Sequence, residues 1–285
     1  MNSNNTITFL IKSADAKGLV SEITSFFYQR NFSILSCKQH SDTIIEKYFM
    51  RIVIDKNDLK ISRKQLEEEF STFADQYSLE WKVNYSDRPK RVAILVSNTS
   101  HCLYHLMSKL NEGELNCEVP LIISNHPKLE YVAEQFKIPY YCLPVTKDTK
   151  PQQEQQIIDL IEKHHIDLII MARYMQILSN DFVSRYNGRI INIHHAFLPA
   201  FEGANPYKRA YERGVKMIGA TAHYATPELD KGPIIDQDVE RVSHEYDPED
   251  LKRIGKDIES IVLTRAVKAH LDDRIIVHEN RTVIF

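Results

Sequence analysis

An apolar strand that ends in an amide and two imidazoles is the clearest place in this chain for chemistry. Residues 190–210 read IINIHHAFLPAFEGANPYKRA. Asn192 interrupts a row of isoleucines, and His194 and His195 close it. A buried polar group without a partner costs roughly 1–3 kcal/mol. Asn192 and His194 therefore either cap the strand end and bond loop carbonyls, or face a site; His195 is read as support for the loop. A second stretch, AHYATPELDKGPIIDQ over residues 222–237, sets Asp230 just before a Gly-Pro turn between two apolar runs. Asp-x-Gly commonly closes a hairpin, and that reading stands beside a chemical one. Joined to Asn192 and His194, Asp230 would add a proton acceptor to an oxyanion-stabilising amide and a donor of ordinary pKa about 6.5. There is no G-x-S-x-G, and no cysteine is expected at a strand–helix turn beside a histidine. The chemistry indicated is direct attack at a carbonyl, without a covalent enzyme intermediate.

Two patterns of elements must position these residues. Residues 6–85 read as strand (6–12), amphipathic helix within 15–31, strands over 32–40 and 47–55, a second helix over 62–77 and a strand over 78–86. That βαββαβ order is the ferredoxin-like unit. The polar SDRPKR, with Pro89, marks the boundary, so domains are expected over 1–86 and 87–285. Beyond it, short aliphatic strands (RVAILVS, EVPLIIS, PYYCL, DLIIMA, RIINI) alternate with helical segments, including 102–112, 127–137 and 151–164. This pattern predicts a mostly parallel sheet covered on both faces, a Rossmann-like α/β domain. Two strands after Lys216, a helix from Pro248 to about His270 with Asp247 as N-cap, and a terminal hairpin complete it. Ligands of such sheets gather at the carboxyl ends of the strands, which is where His194 and MARYMQIL (171–178) fall.

Composition removes several function classes. The 285 residues carry a net charge of −3 and 43% hydrophobic residues, with no basic stripe for nucleic acid. The N-terminus lacks the apolar run of a signal peptide, no segment approaches a membrane span, and a cytoplasmic protein is expected. Cys37, Cys102, Cys117 and Cys142 show no CxxC and no Cys/His metal spacing, so they read as reduced thiols and no metal is expected.

Asn192-x-His194, the loop LPAFEGANP (198–206) and ELDKGP (228–233) closely resemble the N10-formyltetrahydrofolate-dependent formyltransferases from about residue 90 onward. Over its full length the chain is similar to the hydrolase branch, the 10-formyltetrahydrofolate deformylases, which place an ACT domain before the formyltransferase-like domain. Asp15-x-x-Gly18 at the first strand–helix turn and ANPYKRAYERGVKMIGATAHY (204–224) fit that branch. The resemblance implies Asn192, His194 and Asp230 as catalytic residues. It implies Met175, Gln176, Ile177, Leu178, Ala225, Thr226, Pro227 and Glu228 around the pterin, with His223 and His195 behind them. For Ile177 and Leu178 plain core packing is the competing reading, and for His223 a satisfied strand histidine. Gln176 departs from the Arg that related formyltransferases often carry there.

Within this family the acceptor of the formyl group is the open variable. A phosphate-bearing amine acceptor suits a Gly-rich turn, whereas here the turn after the first strand of the second domain is Ser97-Asn98-Thr99-Ser100-His101. Water is the expected acceptor: Asp230 deprotonates it, Asn192 and a protonated His194 steady the oxyanion, and formate leaves with tetrahydrofolate. No tightly bound cofactor is implied. The formate would supply purine biosynthesis and balance one-carbon pools. The ACT-like unit implies an amino-acid effector, or a purely structural role in a homo-oligomer, expected as a tetramer. The alternatives are formyl transfer to an amine and a non-catalytic folate or amino-acid sensor.

Overall fold

Period-two burial along the first strands sets up the N-terminal unit. A computed structural model describes residues 5–199 and 206–285. β1 (Thr6–Ala14) sends Ile7, Phe9 and Ile11 to one face and Leu10 to the other. It pairs antiparallel with β3 (Lys47–Asp55) and β4 (Glu80–Tyr85), and β2 (Ile34–Asp42) pairs on the far side of β3. The sheet order is β2-β3-β1-β4. α1 (Leu19–Tyr28) and α2 (Arg63–Gln76) cover the face of Ile7, Phe9 and Ile11. Gly18, at φ 89°, makes the turn into α1, a left-handed conformation that glycine adopts without strain. Phe9, Phe27, Phe70 and Trp81 pack edge-on and offset there, with Phe9 and Phe70 centroids 4.6 Å apart.

The opposite face of this sheet is closed from far along the chain. β12 (Ile275–His278) and β13 (Arg281–Ile284) form a hairpin whose Ile276, Val283 and Phe285 pack on Leu10 and Phe49. Arg51 Nε donates to the Asp273 carbonyl at 2.8 Å across 222 residues of sequence. Two compact units result. One contains residues 1–89, 273–278 and 282–285, the other 90–272 and 279–281.

The second unit is built on a seven-stranded sheet of order β11-β10-β9-β8-β5-β6-β7. β5 (Lys90–Val96), β6 (Cys117–Ser124), β7 (Tyr140–Cys142), β8 (Leu168–Met171) and β9 (Ile190–His194) are parallel. β5, β8 and β9, buried on both faces over most of their length, are aliphatic runs seen in the sequence, whereas β7 is a short, partly exposed edge strand. β10 (Met217–Tyr224) and β11 (Ile234–Arg241) add antiparallel. The helices are α3 (His101–Asn111), α4 (Glu130–Gln135), α5 (Lys150–Lys163), α6 (Asn180–Arg185), α7 (Pro206–Arg213) and α8 (Pro248–Leu271). The single helix expected over 127–137 is a 3-10 turn, Pro127–Leu129, followed by α4. Asp247 accepts from the Glu249 and Asp250 amides while the Asp250 side chain answers back, a capping box that starts α8. β5 pairs with β6 on one side and β8 on the other, so the strand order reverses between β5 and β8.

Phe70 is fully buried at the centre of the aromatic cluster. Phe70→Ala is expected to destabilise the N-terminal unit by about 3–5 kcal/mol, measured as a lowered urea midpoint of the transition that Trp81 fluorescence reports.

Candidate active site

Strand pairing places the first three side chains. Asn192 and His194 are two apart on β9 and so share a face. His223 of β10 lies opposite Asn192 in register. Its Nδ1 lies 2.9 Å from the Tyr224 carbonyl, a contact in which the ring must donate. In that tautomer Nε2 accepts from Asn192 Nδ2 at 3.2 Å, which fixes the carboxamide and leaves its second N–H and its oxygen free to face outward. The strand histidine thus orients the amide beside it.

Asp230 arrives from the turn after β10, and the turn is built to deliver it. Ala225 N–H donates to the Ile190 carbonyl at 2.9 Å, and Tyr224 N–H to Pro233 at 3.0 Å. Thr226 Oγ1 donates to the Glu228 carbonyl at 2.9 Å. Asp230 itself has φ 56°, and Gly232 lies against the Tyr224 carbonyl so closely that a Cβ would overlap it. With the backbone so folded, Asp230 Oδ2 meets His194 Nδ1 at 3.2 Å, and Oδ1 lies 3.6 Å from His223 Nε2. The first is a hydrogen-bonded contact; the second is too long for a bond. Burial raises the Asp230 carboxyl, but the hydrogen bond from His194 outweighs it and holds the group well below the usual carboxylate range. Asp230 is therefore ionised at neutral pH. His194 is buried, and its Nε2 has no hydrogen-bond partner among the described residues.

A cleft with about 420 Å³ of empty space opens beside these groups. Gln176, Ile177, Leu178, Ala225, Thr226, Pro227, Leu229, Asn192, His223 and Asp230 line it, with Met171 and Val183 at its base. Met175 and Glu228 are exposed and do not line it. The segment carrying Gln176–Leu178 is tied down from three sides. Ser97 Oγ accepts the Met175 amide at 2.9 Å, Glu154 accepts the Ser179 amide at 2.8 Å, and Gln153 donates to the Tyr174 hydroxyl at 2.8 Å. Leu198 of the LPAFEGANP loop is held through Thr221 Oγ1 at 3.0 Å; residues 200–205 of that loop lie outside the described residues.

His195 turns away from the cleft. Its ring stacks on His194 with centroids 5.0 Å apart, and Tyr207 lies 6.4 Å beyond. Burial, then Arg173, push its pKa down to about 4, so it carries no charge near neutrality. Behind it lies a charged cluster absent from the sequence expectations. Glu259, 1% exposed, accepts from the Tyr207 hydroxyl at 2.6 Å, meets His101 Nε2 at 2.8 Å, and has Arg173 Nε at 3.4 Å. Burial raises Glu259, yet His101 and Arg173 outweigh it and hold it below its ordinary range. Cys102 follows His101 in the first turn of α3, against the expectation of no cysteine at a strand–helix turn beside a histidine. Burial pushes its thiol far up, so it is no nucleophile. His101, Cys102 and Glu259 have ligand atoms within 4.8 Å of one another, but both Glu259 oxygens already serve Tyr207, His101 and Arg173.

Two family models match the chain, a formyl transferase model over residues 90–267 and an ACT domain model over residues 7–71. A relative from Synechocystis sp., named formyltetrahydrofolate deformylase, is 48% identical and covers 99% of both chains. The crystal structure of a formyltetrahydrofolate deformylase from Pseudomonas syringae pv. tomato matches with TM-score 0.95 and 41% identity, covering 99% of this chain and 94% of that one. A glycinamide ribonucleotide transformylase from Symbiobacterium toebii matches with TM-score 0.64 and 26% identity, covering 69% of this chain and 94% of its own.

Gly232→Ala tests the turn. The added methyl collides with the Tyr224 carbonyl, and the expected loss is on the order of 1–3 kcal/mol by calorimetry, with faster proteolytic cutting in the 225–232 segment.

Proposed function

The chain belongs to the formyltetrahydrofolate deformylase family, and we propose that it hydrolyses 10-formyltetrahydrofolate to formate and tetrahydrofolate, with Asn192, His194 and Asp230 as the catalytic residues. The observation that carries this is the joining of an ionised, half-buried Asp230 to His194 at 3.2 Å at the edge of a mostly apolar cleft. The pterin fits against Ile177, Leu178 and Ala225, beside Gln176, Thr226 and Pro227. The formyl group then reaches the end of β9.

The formyl group is an amide of an aniline-like nitrogen, more reactive than an alkyl amide. Asp230 takes a proton from water, and the water oxygen attacks the formyl carbon. The carbonyl oxygen gains negative charge and is met by the Asn192 N–H that His223 leaves free and by His194 Nε2 with its proton. The C–N10 bond breaks, N10 takes the proton that Asp230 removed from water, and formic acid departs as formate, releasing its proton to solvent. His223 acts through Asn192, and His195, uncharged, holds the His194 ring from behind without adding a second positive charge. Nothing in the step calls for a tightly bound cofactor. Formate and free tetrahydrofolate then enter reactions that consume one-carbon units, purine synthesis among them.

The ACT-like unit suits effector control or assembly of a homo-oligomer. β2 is exposed along nearly its whole length as an edge strand, which leaves backbone groups for pairing with a second copy. Among the described residues no helix is long and apolar enough to cross a membrane.

Incubated with 10-formyltetrahydrofolate and no amine, the protein is expected to release formate and tetrahydrofolate in equal amounts. Acceptor-dependent turnover would make it a transferase, and no turnover a sensor. Asn192→Ala and His194→Ala should each lower kcat by about 10²–10³-fold with the circular dichroism spectrum unchanged. Asp230→Asn at wild-type rate would remove the carboxylate from the mechanism. The depressed Asp230 pKa has a further consequence: the carboxylate keeps its charge as pH falls through the ordinary aspartate pKa of about 3.9. An acid limb of kcat/KM assigned to Asp230 would therefore lie below that value, and an Asp230-dependent loss of activity above it would contradict the assignment.

A further inference from the structure

Open α/β sheets bind ligands in the crevice at the carboxyl ends of their strands, where the strand order reverses. In the second unit that place lies between β5 and β8, and the chain's own side chains fill it. Arg173 enters from just after β8, His101 from the start of α3, Glu259 from the middle of α8 and Tyr207 from α7. They converge on the Glu259 carboxylate at 2.6 Å (Tyr207), 2.8 Å (His101) and 3.4 Å (Arg173). Gly255, one turn before Glu259 on α8, makes room for this, because any side chain there would overlap the Tyr207 ring. From Tyr207 the contacts run through His195 to His194.

Arg173 is the unusual member. Its backbone has φ 64°, in the left-handed region that favours glycine. A glycine would relieve the backbone, so the position is held for its side chain. That side chain is 15% exposed and sets its Nε 3.4 Å from a carboxylate that is itself 1% exposed, with no hydrogen-bond partner for that Nε among the described residues.

Asn192, His223 and Asp230 line the folate cleft, whereas Arg173, His195 and Glu259 do not. The crevice between β8 and β5, where such sheets take ligands, is then the place for a formyl acceptor larger than water. We infer that Arg173, held beside Glu259, is a specificity-determining residue that makes water the acceptor by filling this crevice with a largely buried guanidinium. The inference rests on the deformylase reading above. In hydrolysis a C–O bond forms, the C–N10 bond breaks, N10 gains a proton and formate leaves. With an amine, a C–N bond forms, the C–N10 bond breaks, the proton lost by the amine nitrogen passes to N10 and a formamide leaves. The trio serves both reactions alike, and the difference lies in the size and charge of the nucleophile admitted. Water is small and neutral. An amine brings its substituents and, when protonated, a charge that the guanidinium repels.

The test uses the full chain with 10-formyltetrahydrofolate in the presence of glycinamide, and reads formate and N-formylglycinamide together. Wild type is expected to give formate almost alone. Arg173→Gly, which suits the left-handed backbone, should raise the formylglycinamide share by at least about tenfold, while Arg173→Lys, which keeps charge and most of the volume, should restore the wild-type share. Glu259→Gln, which loosens the anchor without emptying the crevice, should raise the share by less, and it decides the matter if circular dichroism shows Arg173→Gly to be unfolded. An unchanged share in folded Arg173→Gly, or loss of both products, would overturn the inference, the second because Arg173 would then serve the chemistry and not the choice of acceptor. Failure of wild type to release formate without an amine would count against the deformylase reading and leaves the comparison of shares intact as a separate measurement.

Discussion

The contact between Asp230 and His194 is the constraint around which the second unit is arranged. It joins a strand end to a turn that lies beyond a further strand, and neither partner reaches the other without several local conditions. β9 must carry two polar residues on one face, β10 must pair antiparallel with it, and the chain after β10 must turn back through a left-handed aspartate and a glycine with no room for a methyl. Each of these is a backbone condition. The ion pair follows from the path of the chain and not from flexible side chains finding each other.

Polar and apolar surfaces divide around that contact. Aliphatic groups that can cover a flat ring line the cleft, and the buried charges of Glu259, His101 and Arg173 gather in a separate cluster. A buried carboxylate is tolerated only where its partners replace water, and Glu259 has three, drawn from three other elements. Such a network gives limited net stability, but it fixes the relative placement of α3, α7, α8 and the segment after β8. His195 sits between the two systems, uncharged, and so passes packing from one to the other without adding a repulsive charge beside His194.

Much of this was legible in the residues. The aliphatic runs become the parallel strands, the Asp247–Pro248 pair becomes the capped start of α8, and Asn192, His194 and Asp230 stand out by residue type, their joint role coming from the family resemblance. What stayed hidden depends on long-range meetings. Glu259 looks like any acid within an amphipathic helix, and Arg173 like a charged residue after a strand; only the packing of α8 near the switch point buries them together. The sole local signal was Arg173 immediately after the fully buried β8, where a charge needs an explanation. His223 stands out in the sequence as a strand histidine, but its place beside Asn192 depends on the register of β9 against β10. Met175 and Glu228 show the reverse limit, since neighbours in a loop share a sequence motif without sharing a direction.

The hairpin of β12 and β13 has a consequence for how the chain comes to be folded. The face of the N-terminal sheet that carries Leu10 and Phe49 is covered by Ile45 and, among the described residues, mainly by Ile276, Val283 and Phe285 after residue 272. During translation that face emerges early and stays largely bare until the whole second unit has been synthesised. A fragment ending near residue 89 would keep its helix-side core and display an apolar strip, prone to self-association. The first unit to be made is thus the last to be sealed, and a nascent-chain chaperone would find its target there.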